Sequence, residues 1–297
     1  MNVDPRNPEF RSTFASNARM AAHLLRSLFK SKRIAFGFSI LAFFSILGIF
    51  GKFIAPYNPL SSTGPLWAPP SSAHLFGTNY LGQDIFSWFV IGTTTSMYVG
   101  FAVAFFSGLI GVSVGLTAGY LGKYVDEALM RGVDMLLIIP AFPLLVILSA
   151  YLPPTTNSTI LILSILSWPF MSRIVRSQVL SLKESGFVTA SRISGESHIK
   201  IMFKDILPNM LPIIFINIIF LVIGAIIAQA GLAFFGLGNI NSINWGTMLY
   251  WAQTEDAAIQ NAWWWIVPPG LAIGILGLGL NMLANGISDV MLSNNRR

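Results

Sequence analysis

Residue types that carry out catalysis or bind metals are scarce in this chain, and those present lie far apart. The sequence contains no cysteine, which excludes disulfides and cysteine-based metal sites. Its three histidines, His23, His74 and His198, fall in separate polar segments, which fits surface residues better than ligands of one metal ion. No Gly-x-x-x-x-Gly-Lys-Ser/Thr phosphate loop, Ser/His/Asp set or His-Glu zinc motif occurs. We therefore expect no catalytic residue, metal site or cofactor in this chain.

Four amide side chains lie inside long apolar segments, at Asn217, Gln229, Asn281 and Asn285. Such amides can line a passage for a solute or hydrogen-bond one helix to another, and the sequence leaves both interpretations open. The middle of each apolar segment lacks Asp, Glu, Lys, Arg and His, which usually mark proton or ion pathways. This pattern favours an uncharged passage and argues against a proton-coupled carrier, whereas a sodium-coupled carrier can use backbone carbonyls.

The overall composition is typical of a polytopic membrane protein. Of the 297 residues, 54% are hydrophobic and only 10% are charged, against about 25% charged in soluble proteins. The net charge of +6 would suggest a nucleic-acid partner in a soluble protein. Here the basic residues flank apolar segments, so membrane topology is the simpler explanation and we expect no nucleic-acid partner.

The hydropathy pattern predicts an all-α protein with six transmembrane helices, because about 20 helical residues cross the roughly 30 Å of bilayer hydrocarbon. A cleaved signal peptide is the alternative for the first segment, but that apolar core is too long for one. A loop rich in Pro, Ser and Gly at 55–83 is followed by a predicted short interfacial helix at 85–97. The six spans are predicted at 34–54, 98–121, 132–152, 159–176, 210–235 and 264–288.

The positions of the basic residues predict that both termini are cytoplasmic. With the N-terminus inside, every Lys and Arg of the 18 except Lys52 falls on the cytoplasmic side, as the positive-inside rule requires. The resulting divisions are a cytoplasmic tail at 1–33, a first transmembrane helix at 34–54, an extracytoplasmic loop with its interfacial helix at 55–97, a core at 98–290 and a cytoplasmic tail at 291–297.

One cytoplasmic segment, residues 187–208, is predicted to form a helix, a turn and a second helix. Gly195 suits the turn because glycine readily takes the positive φ at which helices end, and Pro208 fits the start of the next helix. An amphipathic helix lying on the membrane surface is the alternative. Apolar residues at helical spacing predict one apolar face, formed by Ile199, Met202, Phe203 and Ile206.

This segment resembles the EAA loop of binding-protein-dependent ABC importers, whose pattern is Glu-Ala-Ala, three residues, Gly, and then Leu-Pro. Thr189-Ala190-Ser191 fills the first position, Gly195 the second and Leu207-Pro208 the last, while Asp205 stands where the family often has Ile. The resemblance implies a cytoplasmic loop at 184–208 that couples to an ATPase. The coupling residues it implies are Thr189, Ala190, Ser191, Gly195, Ile199, Met202, Phe203, Leu207 and Pro208.

Two further stretches are similar to the C-type permease subunit of the dipeptide, oligopeptide and nickel importers. They are Phe76–Asp84, matching Phe-Gly-Thr-Asp-x-Leu-Gly-Arg-Asp, and Ala233–Gly238 with the later Trp245-Gly246. Three departures from the family pattern change charged groups. Thr189 replaces a Glu expected to pair with the ATPase, and Asn79 and Gln83 replace an Asp and an Arg in the outer motif.

The resemblance, which spans about residues 34–290, implies a type I ABC importer transmembrane domain in the cell membrane. It implies a second, B-type permease, two ATPase subunits that bind ATP and Mg, an extracytoplasmic substrate-binding protein and membrane lipid as partners. The expected function is that of a permease subunit importing di- and oligopeptides. Oligosaccharides or nickel chelates are alternative substrates, and a secondary carrier or a passive channel would be a different class of protein.

Two residue patterns have both a structural and a functional interpretation. Glycines four residues apart, at Gly111, Gly115 and Gly119, share one helix face and favour close helix packing, within the chain or against a partner. Tryptophans near the predicted outer face could anchor helices at the membrane interface or stack on sugar rings. These tryptophans are Trp245, Trp251, Trp263, Trp264 and Trp265.

Overall fold

The computed structural model describes residues 31–294, and within that range the chain is helical, with no strand. Most of the predicted tail at 1–33 and the end of the tail predicted at 291–297 lie outside the described residues. The helices are α1 Lys32–Ile54, α2 Ile85–Leu121, α3 Lys123–Ile138, α4 Ala141–Tyr151, α5 Thr156–Leu182, α6 Gly186–Ile193, α7 His198–Phe234, α8 Trp245–Thr254 and α9 Trp263–Asn294.

Five of these helices are long and apolar enough to cross a membrane, namely α1, α2, α5, α7 and α9. The pair α3 and α4 provides a sixth span if its two helices count as one, although they meet at a bend of 88°. The prediction of an all-α polytopic protein with six spans is therefore confirmed, with one of the spans broken.

The break in the third span is a difference from the sequence prediction, which placed one continuous helix at 132–152. Ile139 has φ −76° and ψ 127°, an extended conformation, and Pro140 follows it before α4 begins. A proline disfavours the helical conformation in the residue before it. The N-terminal part, α3, also begins earlier than predicted, at Lys123, directly after Gly122.

The predicted interfacial helix at 85–97 and the second span at 98–121 form one continuous helix, α2, of 37 residues. Hydroxyl side chains within this stretch are satisfied by backbone carbonyls. Thr93 donates to the carbonyl of Phe89 at 2.8 Å, and Thr94 donates to the carbonyl of Gly48 in α1 at 2.7 Å. Hydroxyls bonded to backbone carbonyls in this way do not interrupt a helix.

The glycines of α2 pack against α5 within this chain. A Cβ atom added at Gly115 would lie 2.5 Å from the carbonyl oxygen of Ser172, and one at Gly119 would lie 2.7 Å from Cβ of Val179. Gly111 makes an equally close approach to Met171. The small-residue face of the second span is thus used inside the subunit, where it brings two spans together.

Helix α1 packs between α9 and α2 through glycines of its own. A Cβ atom at Gly37 would clash with the carbonyl oxygen of Gly279 in α9, and one at Gly51 would lie 2.7 Å from Oγ1 of Thr94 in α2. The opposite side of α1 is exposed and rich in phenylalanine, at Phe36, Phe38, Phe43, Phe50 and Phe53.

Candidate functional site

The segment predicted to couple to an ATPase is a helix pair at one end of the bundle, formed by α6 and the beginning of α7. Gly195 lies in the turn between them with φ 74°, and its amide donates to the carbonyl of Arg192 at 3.1 Å. No atom lies within 4 Å of the place where a Cβ atom of Gly195 would be. Glycine is therefore required at this turn by its backbone conformation, not by crowding.

The inner side of this helix pair is packed onto the bundle. Val188 of α6 and Ile201, Met202 and Ile206 of α7 are buried in one apolar cluster with Val179 of α5. Residues 201–206 form a π-helical turn, whose wider spacing places Ile201 and Ile206 on the same side. The pair is therefore attached firmly to the spans beneath it.

The apolar face predicted at residues 199–206 is divided between two sides. Met202 and Ile206 point into the bundle, as described, but the side chains of Ile199 and Phe203 point outward. Ile199 is 71% exposed and Phe203 is 59% exposed. Sequence periodicity merged two faces because it assumed regular α-helical spacing, whereas this stretch contains the π turn.

The outward side of the pair displays most of the other predicted coupling residues. Thr189, Ala190 and Pro208 are exposed, and Ser191 and Leu207 are half-buried. The Thr189 hydroxyl donates to the carbonyl of Ser185 at 3.1 Å, so it is occupied within its own helix.

A glutamate that the sequence reasoning did not single out closes the turn. Glu196 accepts a hydrogen bond from Nζ of Lys200 at 2.6 Å, and Nζ of Lys204 lies 3.9 Å away. The hydrogen bond from Lys200 holds the pKa of Glu196 below its usual value, and the charges of the two lysines act in the same direction. The acid–base spacing of four residues within a helical segment could have revealed this pair.

Ion pairs at the same end of the bundle join α3 to α5. Asp126 accepts two hydrogen bonds from the guanidinium of Arg176, at 2.5 and 2.6 Å, and Asp134 accepts one from Arg173 at 2.5 Å. The first pair is partly buried, whereas the second is about half exposed. A two-bond arginine–carboxylate contact fixes orientation as well as distance, so the first half of the broken span is held at a defined angle to α5.

The motif at residues 76–84 builds a buried polar network at the opposite end of the bundle. Asp84 caps α2, because its Oδ2 accepts hydrogen bonds from the amide and the hydroxyl of Ser87 at 2.7 and 2.6 Å. Its Oδ1 lies 2.9 Å from Nδ1 of His74, and both side chains are buried. The expectation that His74 is a surface residue is therefore wrong. Gly77 and Gly82 have φ of 69° and 72°, as expected for turn residues.

Two neutral amides replace the charged pair that this motif usually contains. The side chain of Asn79 donates to Oε1 of Gln83 at 2.8 Å, and Nε2 of Gln83 donates to the carbonyl of Leu60. The Asn79 Oδ1 atom accepts the amides of Leu81 and Gln83 at 2.9 Å. The side chains of Asn79 and Gln83 therefore join the two parts of the loop by an uncharged hydrogen bond, and both are buried.

Three of the five tryptophans assigned to the outer face are buried packing residues. The indole nitrogen of Trp245 donates to the Thr93 hydroxyl at 3.2 Å, and that of Trp264 donates to the carbonyl of Thr78 at 3.2 Å. Trp265 stacks on Tyr80 with ring centroids 5.9 Å apart. Because they are buried, these three can neither stack on a sugar ring nor anchor a helix at the membrane interface. Of the five tryptophans, only Trp251 and the exposed Trp263 could do either.

The four amides proposed for the pathway lie in different surroundings. Gln229 is buried beside a polar void of about 10 Å³, room for roughly one water molecule. Asn281 and Asn285 are exposed on α9 and hydrogen-bond to each other at 2.6 Å. Asn217 is half-buried and lines an open cleft between α5 and α7. The structure does not bring the four together.

Residues 111–296 match the model of a protein family described as the inner membrane component of binding-protein-dependent transport systems. The chain belongs to this family. Within it, the chain is 34% identical to the oligopeptide transport system permease protein OppC of Bacillus subtilis, over 89% of this chain and 86% of OppC. It is 32% identical to the dipeptide transport system permease protein DppC of Alkalihalophilus pseudofirmus, over 98% of this chain and 95% of DppC.

A solved structure shares the fold. A chain of the MetNI methionine ABC transporter, from a crystal form with inward-facing conformations, superposes with a TM-score of 0.53 at 19% identity. The superposition covers 67% of this chain and 96% of that one. The expected ABC importer transmembrane fold is thus confirmed, and the protein is a multi-pass permease component of the cell membrane.

Proposed function

We propose that this chain is the C-type permease subunit of an ATP-driven, binding-protein-dependent importer of di- and oligopeptides. The single observation that carries the proposal is the near full-length similarity to proteins named as dipeptide and oligopeptide permeases. ATP and Mg bind to two separate ATPase subunits, and this chain itself holds no cofactor and performs no hydrolysis. Its contribution is half of the pathway and the helix pair that couples the pathway to the ATPases.

The helix pair α6–α7 docks in a groove of an ATPase subunit. Its outward side offers the apolar side chains of Ile199 and Phe203, which would otherwise face water at an energetic cost. Its inner side is anchored by Met202 and Ile206, so a displacement of the docked pair moves the spans. Thr189 supplies no charge, and the contact therefore relies on apolar burial more than on an ion pair.

The docking end of the bundle faces the cytoplasm, and both termini lie on that side. Support comes from the ion pair between Arg33, at the start of α1, and Asp289, near the end of α9, at 2.9 Å. This contact places the beginning of the first span and the end of the last span at the same membrane face. The concentration of basic residues at that face agrees with a cytoplasmic location.

A second, B-type permease covers the broken span. The backbone at the break between α3 and α4 is irregular, and the neighbouring Ile138, Ile139 and Phe142 are exposed. Irregular backbone cannot face lipid at membrane depth, because its polar groups find no hydrogen-bond partners there. The break therefore requires either protein or a water-filled passage beside it, and the interface between two permease subunits provides both.

The extracytoplasmic substrate-binding protein contacts the opposite end, where the 60–83 loop and α8 enclose a cleft of about 170 Å³. The walls of this cleft combine aromatic rings, including Trp88 and Trp251, with the amide of Gln83. The hydrogen bonds of Gln83 to Asn79 and to the carbonyl of Leu60 hold one wall of the cleft in place, so the surface is prepared before the binding protein arrives.

Reconstitution tests the proposal. The chain would be placed in vesicles with its ATPases, a B-type permease and the binding protein, and ATP-dependent uptake of a labelled oligopeptide, an oligosaccharide and a nickel chelate would be compared. We expect peptide uptake that disappears when the B-type permease is left out. Uptake of only the sugar or the chelate would refute the substrate class, and uptake without ATP would refute the importer class.

A further inference from the structure

The cleft between α5 and α7 combines a closed floor with an open mouth. It has a volume of about 140 Å³. Its floor is formed by the buried Met171 and Ala225, and its rim by the exposed rings of Phe170 and Phe220. An apolar protein cavity of roughly 150 Å³ holds a benzene-sized group, so this cleft can take a single side chain but not a whole peptide.

The depth of the cleft is near the middle of the membrane. Asn217 and Gly224 are two helical turns apart on one face of α7, and they lie on either side of the middle of the span predicted at 210–235. Phe170 is close to the middle of α5, which spans Thr156–Leu182. In secondary transporters, substrate sites lie near this depth.

Asn217 gives the cleft a polar atom that lipid cannot satisfy. Its Nδ2 donates to the carbonyl of Ile213 in the preceding turn at 2.8 Å. Within the part of the chain that the structure describes, its Oδ1 accepts no hydrogen bond, and Asn217 is one of the residues that line the cleft. An amide oxygen that faces hydrocarbon without a hydrogen-bond donor is energetically costly. The Asn217 Oδ1 therefore needs a hydrogen-bond donor from outside this chain, and a donor-bearing solute or water in the cleft would supply it.

Gly224 keeps the mouth of the cleft open. No atom lies within 4 Å of where its Cβ would be, whereas the glycines of α2 are needed for close packing against α5. A glycine inside a helix is less stable than an alanine there, and no packing within the described part of this chain explains the presence of Gly224. A larger residue at position 224 would fill the empty volume in front of Gly224.

From these observations we propose that the α5–α7 cleft is a substrate-contacting subsite of the translocation path, which takes one uncharged side chain of the transported peptide. The wall carries no ionisable residue, so a neutral group is favoured over a charged one. Asn217 accepts a hydrogen bond from the solute, and the rings of Phe170 and Phe220 flank its apolar part. The inference rests on the proposed function.

Cysteine labelling tests whether the cleft belongs to an aqueous path. Because the chain has no cysteine, Gly224→Cys would introduce its single thiol, and Phe43→Cys on the exposed apolar side of α1 would be the matched control. In vesicles carrying the assembled transporter, a small water-soluble thiol reagent should label Gly224→Cys but not Phe43→Cys, and saturating peptide with its binding protein should slow the labelling. Equal lack of reaction at both positions would overturn the subsite.

A size series at the same glycine tests what the cleft holds. Gly224→Ala should transport all peptides, whereas Gly224→Leu should lose uptake of peptides with aromatic side chains and retain uptake of those with small ones. Equal transport of both classes by Gly224→Leu would overturn the proposal. Failure of Gly224→Leu to co-purify with the second permease would also overturn it, because the cleft would then be a subunit interface. Absence of ATP-dependent uptake by the unsubstituted protein would instead refute the proposed function.

Discussion

Replacing Gly195 in the turn of the docking helix pair should uncouple transport from ATP hydrolysis without unfolding the protein. At φ 74° a residue with a Cβ atom is strained, by about 1–2 kcal/mol in the left-handed helical region. Because no atom of this chain surrounds the missing Cβ, crowding within the chain adds nothing to this strain. One to two kcal/mol changes a conformational equilibrium by roughly 5- to 30-fold.

The expected result is a graded loss of ATP-dependent uptake in reconstituted vesicles. Gly195→Val should reduce uptake by roughly 5- to 30-fold, and Gly195→Asn should reduce it less, because asparagine tolerates a positive φ better than other side chains. Amounts of inserted protein and of co-purified permease should stay unchanged, since the turn lies outside the apolar core.

Gly186→Val is the matched control. Gly186 also lies in the helix pair, and a Cβ atom added there would meet no atom within 4 Å, but its φ is not positive. This variant should therefore transport at nearly the unsubstituted rate. Full transport by Gly195→Val, or an equal loss in Gly186→Val, would show that the left-handed turn is not what couples the pair to the ATPases.

Three further substitutions test the structure in other regions. Gly115→Ala should destabilise the purified complex by roughly 1–3 kcal/mol through overpacking against α5, whereas Gly132→Ala, which meets no atom, should not lower the temperature at which the complex dissociates. Asp84→Ala should cost at least the roughly 0.5–2 kcal/mol of a helix cap, measured in the same way, and an unchanged dissociation temperature would contradict the buried network. Because hydrogen bonding lowers the pKa of Glu196, its stabilising contribution is complete above the ordinary glutamate pKa and lost only as pH falls through the lowered value. Uptake by the native chain and by Glu196→Gln should therefore differ by a constant ratio around neutral pH, and a ratio that changes there would contradict the assignment.

Hydropathy and turn chemistry predicted those parts of the fold that depend on local sequence. The six apolar segments could be located because each is long enough to cross a bilayer, and the turn at Gly195 could be located because few residues suit that position. Whether a predicted span forms one continuous helix was harder to predict. The break before Pro140 lies inside an uninterrupted apolar run, and the continuous α2 contains hydroxyl groups whose partners are visible only in three dimensions.

The sequence located the segment that forms the candidate site, but it did not show which of its side chains are exposed. The order of Thr189, Gly195 and Pro208 identified the loop, yet periodicity could not show that Met202 faces the bundle while Phe203 faces away. That division depends on a π turn, which no simple repeat reveals. The pathway amides failed to form a group for a related reason, since hydropathy shows that a residue is polar but not which neighbour lies opposite.

Helix α2 connects the two ends of the bundle at which we propose contacts with the ATPases and with the binding protein. At its outer end Asp84 caps the helix, and Thr93 holds the buried Trp245 of α8. At its inner end Tyr120 contacts His198, the first residue of α7, at 3.1 Å. A continuous helix of 37 residues extends about 55 Å at 1.5 Å per residue and transmits displacement along its axis better than two helices joined by a hinge. A movement of the docked helix pair should therefore reach the outer cleft as one rigid shift, carried by the glycine contacts of α2 with α5.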